Sequence, residues 1–525
     1  MTSESTDGRA AGIAAGYATA GQALELGTVV VDGAADPAAR VRIPLATVNR
    51  HGLVAGATGT GKTKSLQVLA EQLSAAGVPV LMADVKGDLS GLARPGEPGE
   101  KVSERAADTG DEWVPTAYPV EFLALGTGGA GVPVRATVSS FGPILLSKVL
   151  GLNQTQESTL GLIFHWADQK GLPLLDLKDL RSVIHFLTSE DGKPELKALG
   201  AVSTTTAGVI LRALVNLEAE GGDTFFGEPE FETDDLLRLD GDGRGVVTLL
   251  ELGSQAVRPV LFSTFLMWVL ADLFTTLPEV GDLDKPKLVF FFDEAHLLFA
   301  DASKAFLEQV EQTVKLIRSK GVGVFFCTQL PTDVPNGVLS QLGARVQHAL
   351  RAFTPDDEKA LRKTVRTYPK TDVYDLQSAL SSLGIGEAIV TVLSEQGVPT
   401  PVAWTRMRAP RSLMDTIGTQ AIAAAAAASP LQAEYGQTVD RESAYERLAA
   451  RLAPPPPAPP PPADLPPVPT GFDVPPMPAP APEPGLFDKV MDSPAFKSAM
   501  RSAGTVIGRE ITRSIFGTGR RRRRR

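Results

Sequence analysis

The sequence has one cysteine, Cys327, among 525 residues. No intramolecular disulfide can form, which fits a reducing compartment. It also lacks excess positive charge. The net charge of −10 excludes a broad electrostatic embrace of nucleic acid, so any such contact must be local. The N-terminus, MTSESTDGRAAGIAAGYATAG, has early acidic residues and no long apolar core, unlike a secretory signal. The most apolar run, VLFSTFLMWVLADLF, is interrupted by Asp272 and is short for a membrane span. It reads as a buried helix, and the chain as a soluble, cytoplasmic protein without a transmembrane segment. No internal repeat is visible.

What is present is an ordinary globular composition, 43% hydrophobic and 21% charged, in a chain long enough for two or three domains. Residues 1–22 are small and polar and read as a flexible N-terminus. Residues 23–46 read as a small β element with a turn at 33–38. HGLVAG is then a short buried strand. TKSLQVLAEQLSAAG has helical spacing and stops at Gly77, and VPVLMADV is a second buried strand. Strand, helix, strand in this space is a βαβ unit and implies parallel strands covered by helices.

The first part of this core runs over 47–140, with 86–118 reading as a long loop. Residues 141–240 read as an α-helical insertion. The second part of the core spans 241–410, with strands at GVVTLLEL, KLVFFFDEAH and VGVFFCTQ. EAIVTVL and PTPVAWTRM read as late strands, at a sheet edge or as a small β finish. An Ala-rich and charged helical segment occupies 411–453. Residues 454–484 are dominated by proline and read as a polyproline II linker. Residues 485–525 combine an amphipathic helix with an oligo-arginine tail.

The chemistry concentrates in Gly56-Ala57-Thr58-Gly59-Thr60-Gly61-Lys62-Thr63, which fits G-x(4)-G-K-[ST]. Backbone N–H groups must wrap phosphate oxygens here, so side chains at the glycines would obstruct the loop. The following helix, through Lys64, adds its positive end. Lys62 can reach the β- and γ-phosphates, and the Thr63 hydroxyl can ligate Mg²⁺. In KLVFFFDEAH, Asp293 and Glu294 end a very hydrophobic strand. Asp293 would hold the metal, and Glu294 would deprotonate the attacking water. The strand VGVFFCTQ would place Gln329 beside the γ-phosphate, where it can sense ATP against ADP. Cys327 reads as core. Arg318, in KLIRSKGVG, is a candidate for reaching a neighbouring subunit's γ-phosphate, with Arg345 and Arg351 as rivals. An adjacent Asp-Glu pair suits an ATP-hydrolysing motor better than a small-molecule kinase.

The segments NRHGLVAGATGTGKT, ADVKGDLSG, FFDEAHLLF, IRSKGVGVFFCTQLPTDVP and QLGARVQHALRAFTPDD resemble the bacterial HerA-like ATPases, within the HerA–FtsK group. The closest resemblance is to the branch described as helicase HerA-like. It covers about residues 23–410, and SAGTVIGREITRSIFG resembles that branch's C-terminal end. The resemblance implies a RecA-like P-loop ATPase core with a mostly parallel sheet. It also implies ATP and Mg²⁺ as cofactors, and a homo-oligomeric, typically hexameric, ring that translocates DNA. It places Lys62, Thr63, Asp293, Glu294 and Gln329 in the roles above, Arg318 as the trans-acting arginine, and Asp84 and Asp88 near the nucleotide. A helicase assignment is analogy at the level of family.

Two features fall outside the common core, the proline linker and the basic end. Arg520–Arg525, with Arg501, Arg509 and Arg513, could tether DNA or RNA, touch anionic lipid, fold against the acidic body or simply solubilise the chain. The competing functional reading is an ATP-dependent switch or scaffold acting on an unknown protein partner.

Overall fold

A computed structural model describes residues 6–84, 87–126, 129–198, 203–251, 259–281, 283–300 and 302–452. The chain divides into two units, Met1–Ala444 and Tyr445–Arg525. Of the second, the described part is helical, the continuation of Ala444–Leu452. The proline linker, the amphipathic helix and the arginine tail expected beyond it lie outside the described residues.

The first unit is built on one sheet of twelve strands. In chain order these are β1 (Ala23–Val31), β2 (Ala34–Pro44), β3 (Gly52–Ala55), β4 (Val80–Asp84), β5 (Val120–Leu125) and β6 (Val132–Val134). They continue with β7 (Val247–Glu251), β8 (Leu288–Phe292), β9 (Val322–Thr328), β10 (Ala344–Gln347), β11 (Glu387–Thr391) and β12 (Ala403–Met407). Their spatial order is β2-β1-β12-β11-β10-β3-β9-β8-β4-β7-β5-β6. From β10 to β6 every neighbouring pair is parallel. From β10 back to β2 every pair is antiparallel.

The central strands β3, β8 and most of β4 and β9 are apolar because both faces are covered. On one face Val54, Val80, Met82, Val289, Phe291, Phe325 and Cys327 join Leu66, Leu69 and Leu73 of the helix Lys62–Ala75 in a single core. On the other face Phe292 stacks on Phe326, which in turn meets Phe299 of the short helix His296–Phe299. The apolar run around Trp268 is the helix Pro259–Thr276, with Phe262, Phe265, Trp268 and Leu270 all buried. Among the described residues no helix is long and apolar enough to cross a membrane. The region expected as a helical insertion, 141–240, holds five α-helices among the described residues: Val138–Val149, which begins just before it, Gln154–Gln169, Leu177–Thr188, Lys193–Ala198 and Thr204–Ala219.

Several expectations need correction. Residues 6–15 form a helix that buries Ala10 and Ile13, and Tyr17 beyond it donates to the carbonyls of Val390 and Pro401. Small alanines let this helix lie close, a signal that composition disguises as looseness. The hairpin β1–β2 turns at Asp32-Gly33, both at positive φ, and not over 33–38. It is no separate element, since β1 pairs with β12. The supposed long loop at 86–118 carries the helix Glu100–Thr109. The late strands β11 and β12 lie inside the sheet, not at its edge. Strand β10, ARVQ, is too short and too polar to stand out in the sequence.

Candidate functional site

Three parallel strands end side by side. β9 lies between β3 and β8, with Ala55 opposite Thr328 and Phe292 opposite Phe326. The loop 56–61 therefore leaves the same sheet edge as Gln329 and the pair Asp293-Glu294. The Gly56 N–H donates to the Thr328 carbonyl at 3.2 Å, and the Ala295 N–H to the Cys327 carbonyl at 2.8 Å. The end of β9 is thus tied to both neighbours.

The loop's geometry needs its glycines. Gly59 and Gly61 have φ of 78° and 112°, where a side chain is strained. A Cβ on Gly56 would lie 2.6 Å from the Cβ of His348, and one on Gly61 would press on the backbone of Gly386 at 3.2 Å. Lys62 opens the helix Lys62–Ala75 and turns its ammonium into the loop, donating to the carbonyls of Gly56 at 2.7 Å and Ala57 at 3.1 Å. Thr60 donates from its hydroxyl to the Ala57 carbonyl at 2.7 Å. Thr58 and Gly59 stand exposed at the rim, while Thr63 and Lys64 are half-buried on the first turn.

His348 forms the floor. It is fully buried at the end of β10. Its Nδ1 is 2.8 Å from the Glu387 carbonyl, which can only accept, so Nδ1 carries the proton. Its Nε2 then accepts from the Ser65 hydroxyl at 2.9 Å. Burial pushes its pKa down to about 4, so the ring is neutral at neutral pH. The sequence reading passed over His348. A single histidine nearly three hundred residues from the loop gives no spacing signal.

At the other end of the site, Glu294 has φ of 48°, an uncommon angle for a non-glycine residue. Its N–H donates to Asp293 Oδ1 at 2.9 Å. The Glu294 side chain is buried, and its Oε2 lies 3.4 Å from Nδ1 of His296. His296, next in the same motif, also escaped the sequence reading. Cys327 is buried in the core beside Asp293, and burial followed by that negative charge pushes its thiol well above the usual range. Thr328 donates to Asp333 at 2.6 Å, and the Leu330 N–H donates to the same carboxylate oxygen at 3.0 Å. That bracket leaves Gln329 between them exposed at the sheet edge.

Asp84 ends β4 and pairs in register with Glu251, the last residue of the neighbouring β7. Asp84 accepts from the N–H groups of Gly87 and Leu89 at 2.8 and 2.9 Å, fixing the turn into Asp88. Burial, reinforced by neighbouring acids, lifts Asp84 to about 6 and Glu251 to about 7. Lys64 lies near Asp88, and its pKa is lowered by burial against the pull of that carboxylate.

The arginine candidates separate. Arg318 is exposed where the helix Lys304–Ile317 hands over to β9. β9 has seven residues, so Arg318 stands roughly 20 Å from Gln329, at the opposite edge of the sheet. Arg345 is bound to the Thr367 hydroxyl at 2.7 Å. Arg351 is exposed on the segment after β10, on the same edge as the loop.

The residues fit a magnesium-bound nucleoside triphosphate. The cradle has no room for Cβ atoms at Gly56, its lysine points inward, and Thr63 and Asp293 offer the hard oxygen donors Mg²⁺ prefers.

No curated protein matches the chain. Among solved structures, the bacterial conjugative coupling protein TrwBΔN70 in its unbound monoclinic form is 17% identical, with a TM-score of 0.48. The match covers 78% of this chain and 94% of that one. Plasmid coupling protein TrwB in complex with the non-hydrolysable ATP analogue ADPNP is 17% identical over 77% of this chain and 95% of its own, with a TM-score of 0.49. VirB4 of Thermoanaerobacter pseudethanolicus is 15% identical over 74% and 98%, with a TM-score of 0.46. The helicase HerA-like C-terminal family matches residues 30–524, nearly the whole sequence, and the chain belongs to that family.

Proposed function

We propose that the protein is a Mg²⁺-dependent ATPase that works as a homo-oligomeric ring and moves or remodels DNA. The observation that carries the ATPase reading is the alignment of β3, β9 and β8, which gathers Lys62, Gln329, Asp293 and Glu294 at one edge. Lys62 and the loop N–H groups neutralise the phosphates. Thr63 and Asp293 would hold Mg²⁺, which would supply charge neutralisation to the phosphates. Glu294 takes the proton of the attacking water, and Gln329 contacts the γ-phosphate side. Family membership and the remote position of Arg318 support the ring. An arginine so far from its own loop can serve a neighbour's site but not its own.

The test is the steady-state ATPase rate with and without duplex and single-stranded DNA, at low and moderate salt, with Glu294→Gln as the blank. A several-fold stimulation by DNA is expected. Glu294-dependent hydrolysis that DNA leaves unchanged would replace the motor with an ATP-driven switch acting on a protein partner.

A further inference from the structure

The phosphate loop says where the rest of a nucleotide must go. The γ-phosphate end faces β9 and β8, where Asp293, Glu294 and Gln329 stand. With the phosphates so placed, the nucleoside would leave on the other side of β3, the side where β10 neighbours it. Two segments close that side.

The first is Gly384-Ile385-Gly386, just before β11. The Gly386 N–H donates to the Thr60 carbonyl at 3.0 Å, tying the segment to the phosphate loop. Arg105 reaches over from the helix Glu100–Thr109 and donates to the carbonyls of Gly386 at 2.9 Å and Ile385 at 3.0 Å. The backbone is thus held on both sides, yet the Ile385 side chain is 75% exposed. What sets this exposed aliphatic group apart from others on the surface is that its backbone is tethered to the phosphate loop.

The second is the strap 411–416, which follows β12. Lys64 donates to the Met414 carbonyl at 2.8 Å, and Gln67 to the Leu413 carbonyl at 2.8 Å. Met414 is likewise exposed, at 40%. Both residues therefore sit on segments hydrogen-bonded to the start of the same helix or to its loop.

We propose that Ile385 and Met414 form an apolar clamp for the purine base of the bound nucleotide. The proposal rests on the nucleotide-binding reading above. An aromatic base covers apolar surface on both faces, and methionine adapts well to such a partner. No polar side chain is invoked, so the clamp adds affinity for the nucleoside and not for the phosphates.

The experiment compares equilibrium binding of Mg-ATP, Mg-ADP and inorganic tripolyphosphate to the full chain and to Ile385→Ser, Met414→Ala and the double variant. Both residues are exposed, so folding is checked simply by unchanged thermal unfolding. The double variant is expected to bind ATP and ADP about tenfold more weakly, with tripolyphosphate affinity unchanged. ATP affinity unaltered in the double variant, or tripolyphosphate affinity falling in parallel, would overturn the clamp. A different failure separates the two readings. If the parent chain binds neither ligand, or Lys62→Ala binds both as well as the parent, the nucleotide site itself is wrong.

Discussion

Glu294 is held at a left-handed backbone angle with its carboxylate buried, an arrangement a structural role does not require. Its substitution by glutamine keeps the shape and removes the base. Glu294→Gln should bind ATP normally and hydrolyse it about a hundredfold more slowly or worse, measured by single-turnover kinetics. Undiminished turnover would remove Glu294 from the mechanism. Lys62→Ala should instead lose tight binding, seen directly by titration calorimetry. His51 offers a prediction about pH. It is fully buried at φ 61°, its Nδ1 accepts from the Val324 N–H at 3.0 Å, and burial lowers its pKa to about 4. Between about pH 6.5 and 4 the unfolded chain carries a proton there that the folded chain does not. Stability from this group is therefore full above 6.5 and is lost as pH falls. Asn tolerates the same backbone angle, so His51→Asn should gain on the parent by about 1 kcal/mol per pH unit across that window, in urea unfolding at pH 7, 6 and 5. Asp84, Glu251 and Asp272 have raised values and act in the opposite direction, so only the difference between variant and parent isolates His51.

At the scale of elements, the helix Lys62–Ala75 is bound along one side to the strap. Lys64, Gln67 and Glu71 recur at helical spacing and each bonds residues 411–414. Buried Glu71 accepts from the N–H groups of Arg411 at 2.9 Å and Ser412 at 2.8 Å, and from the Ser412 hydroxyl. Glu71→Ala strands those buried donors. It should cost about 3 kcal/mol in thermal or denaturant unfolding and weaken nucleotide binding with it. A loss below 1 kcal/mol would mean that the strap is not anchored there. None of this was legible in the sequence, because the partners are more than three hundred residues apart. The mostly apolar strands β3, β4, β7, β8 and β9 were legible, since double burial leaves little alternation to misread. So were the glycines of the loop and the pair Asp293-Glu294, which carry their chemistry in local spacing. The helix Thr6–Ala15, the helix Glu100–Thr109 and β10 were hidden by small, charged or few residues. His348 and the carbonyl tether of Ile385 exist only through tertiary contact.

At the scale of the molecule, the separation of Arg318 from Lys62 makes a subunit-mixing experiment decisive. Lys62→Ala has a dead site but a good arginine, and Arg318→Ala the reverse. Mixed in equal amounts, the two inactive proteins should recover part of the parent ATPase rate as shared sites form. No recovery from subunits shown to exchange would assign the trans role to Arg351 or to no arginine. The sheet order carries one more consequence, for synthesis. β1 is made first yet has β12, among the last strands, as its neighbour, and β3 waits for β9 and β10. A ribosome that stalls before residue 403 releases a chain with its phosphate loop complete and its first hairpin still offering an open edge. Such fragments are expected to aggregate through that edge.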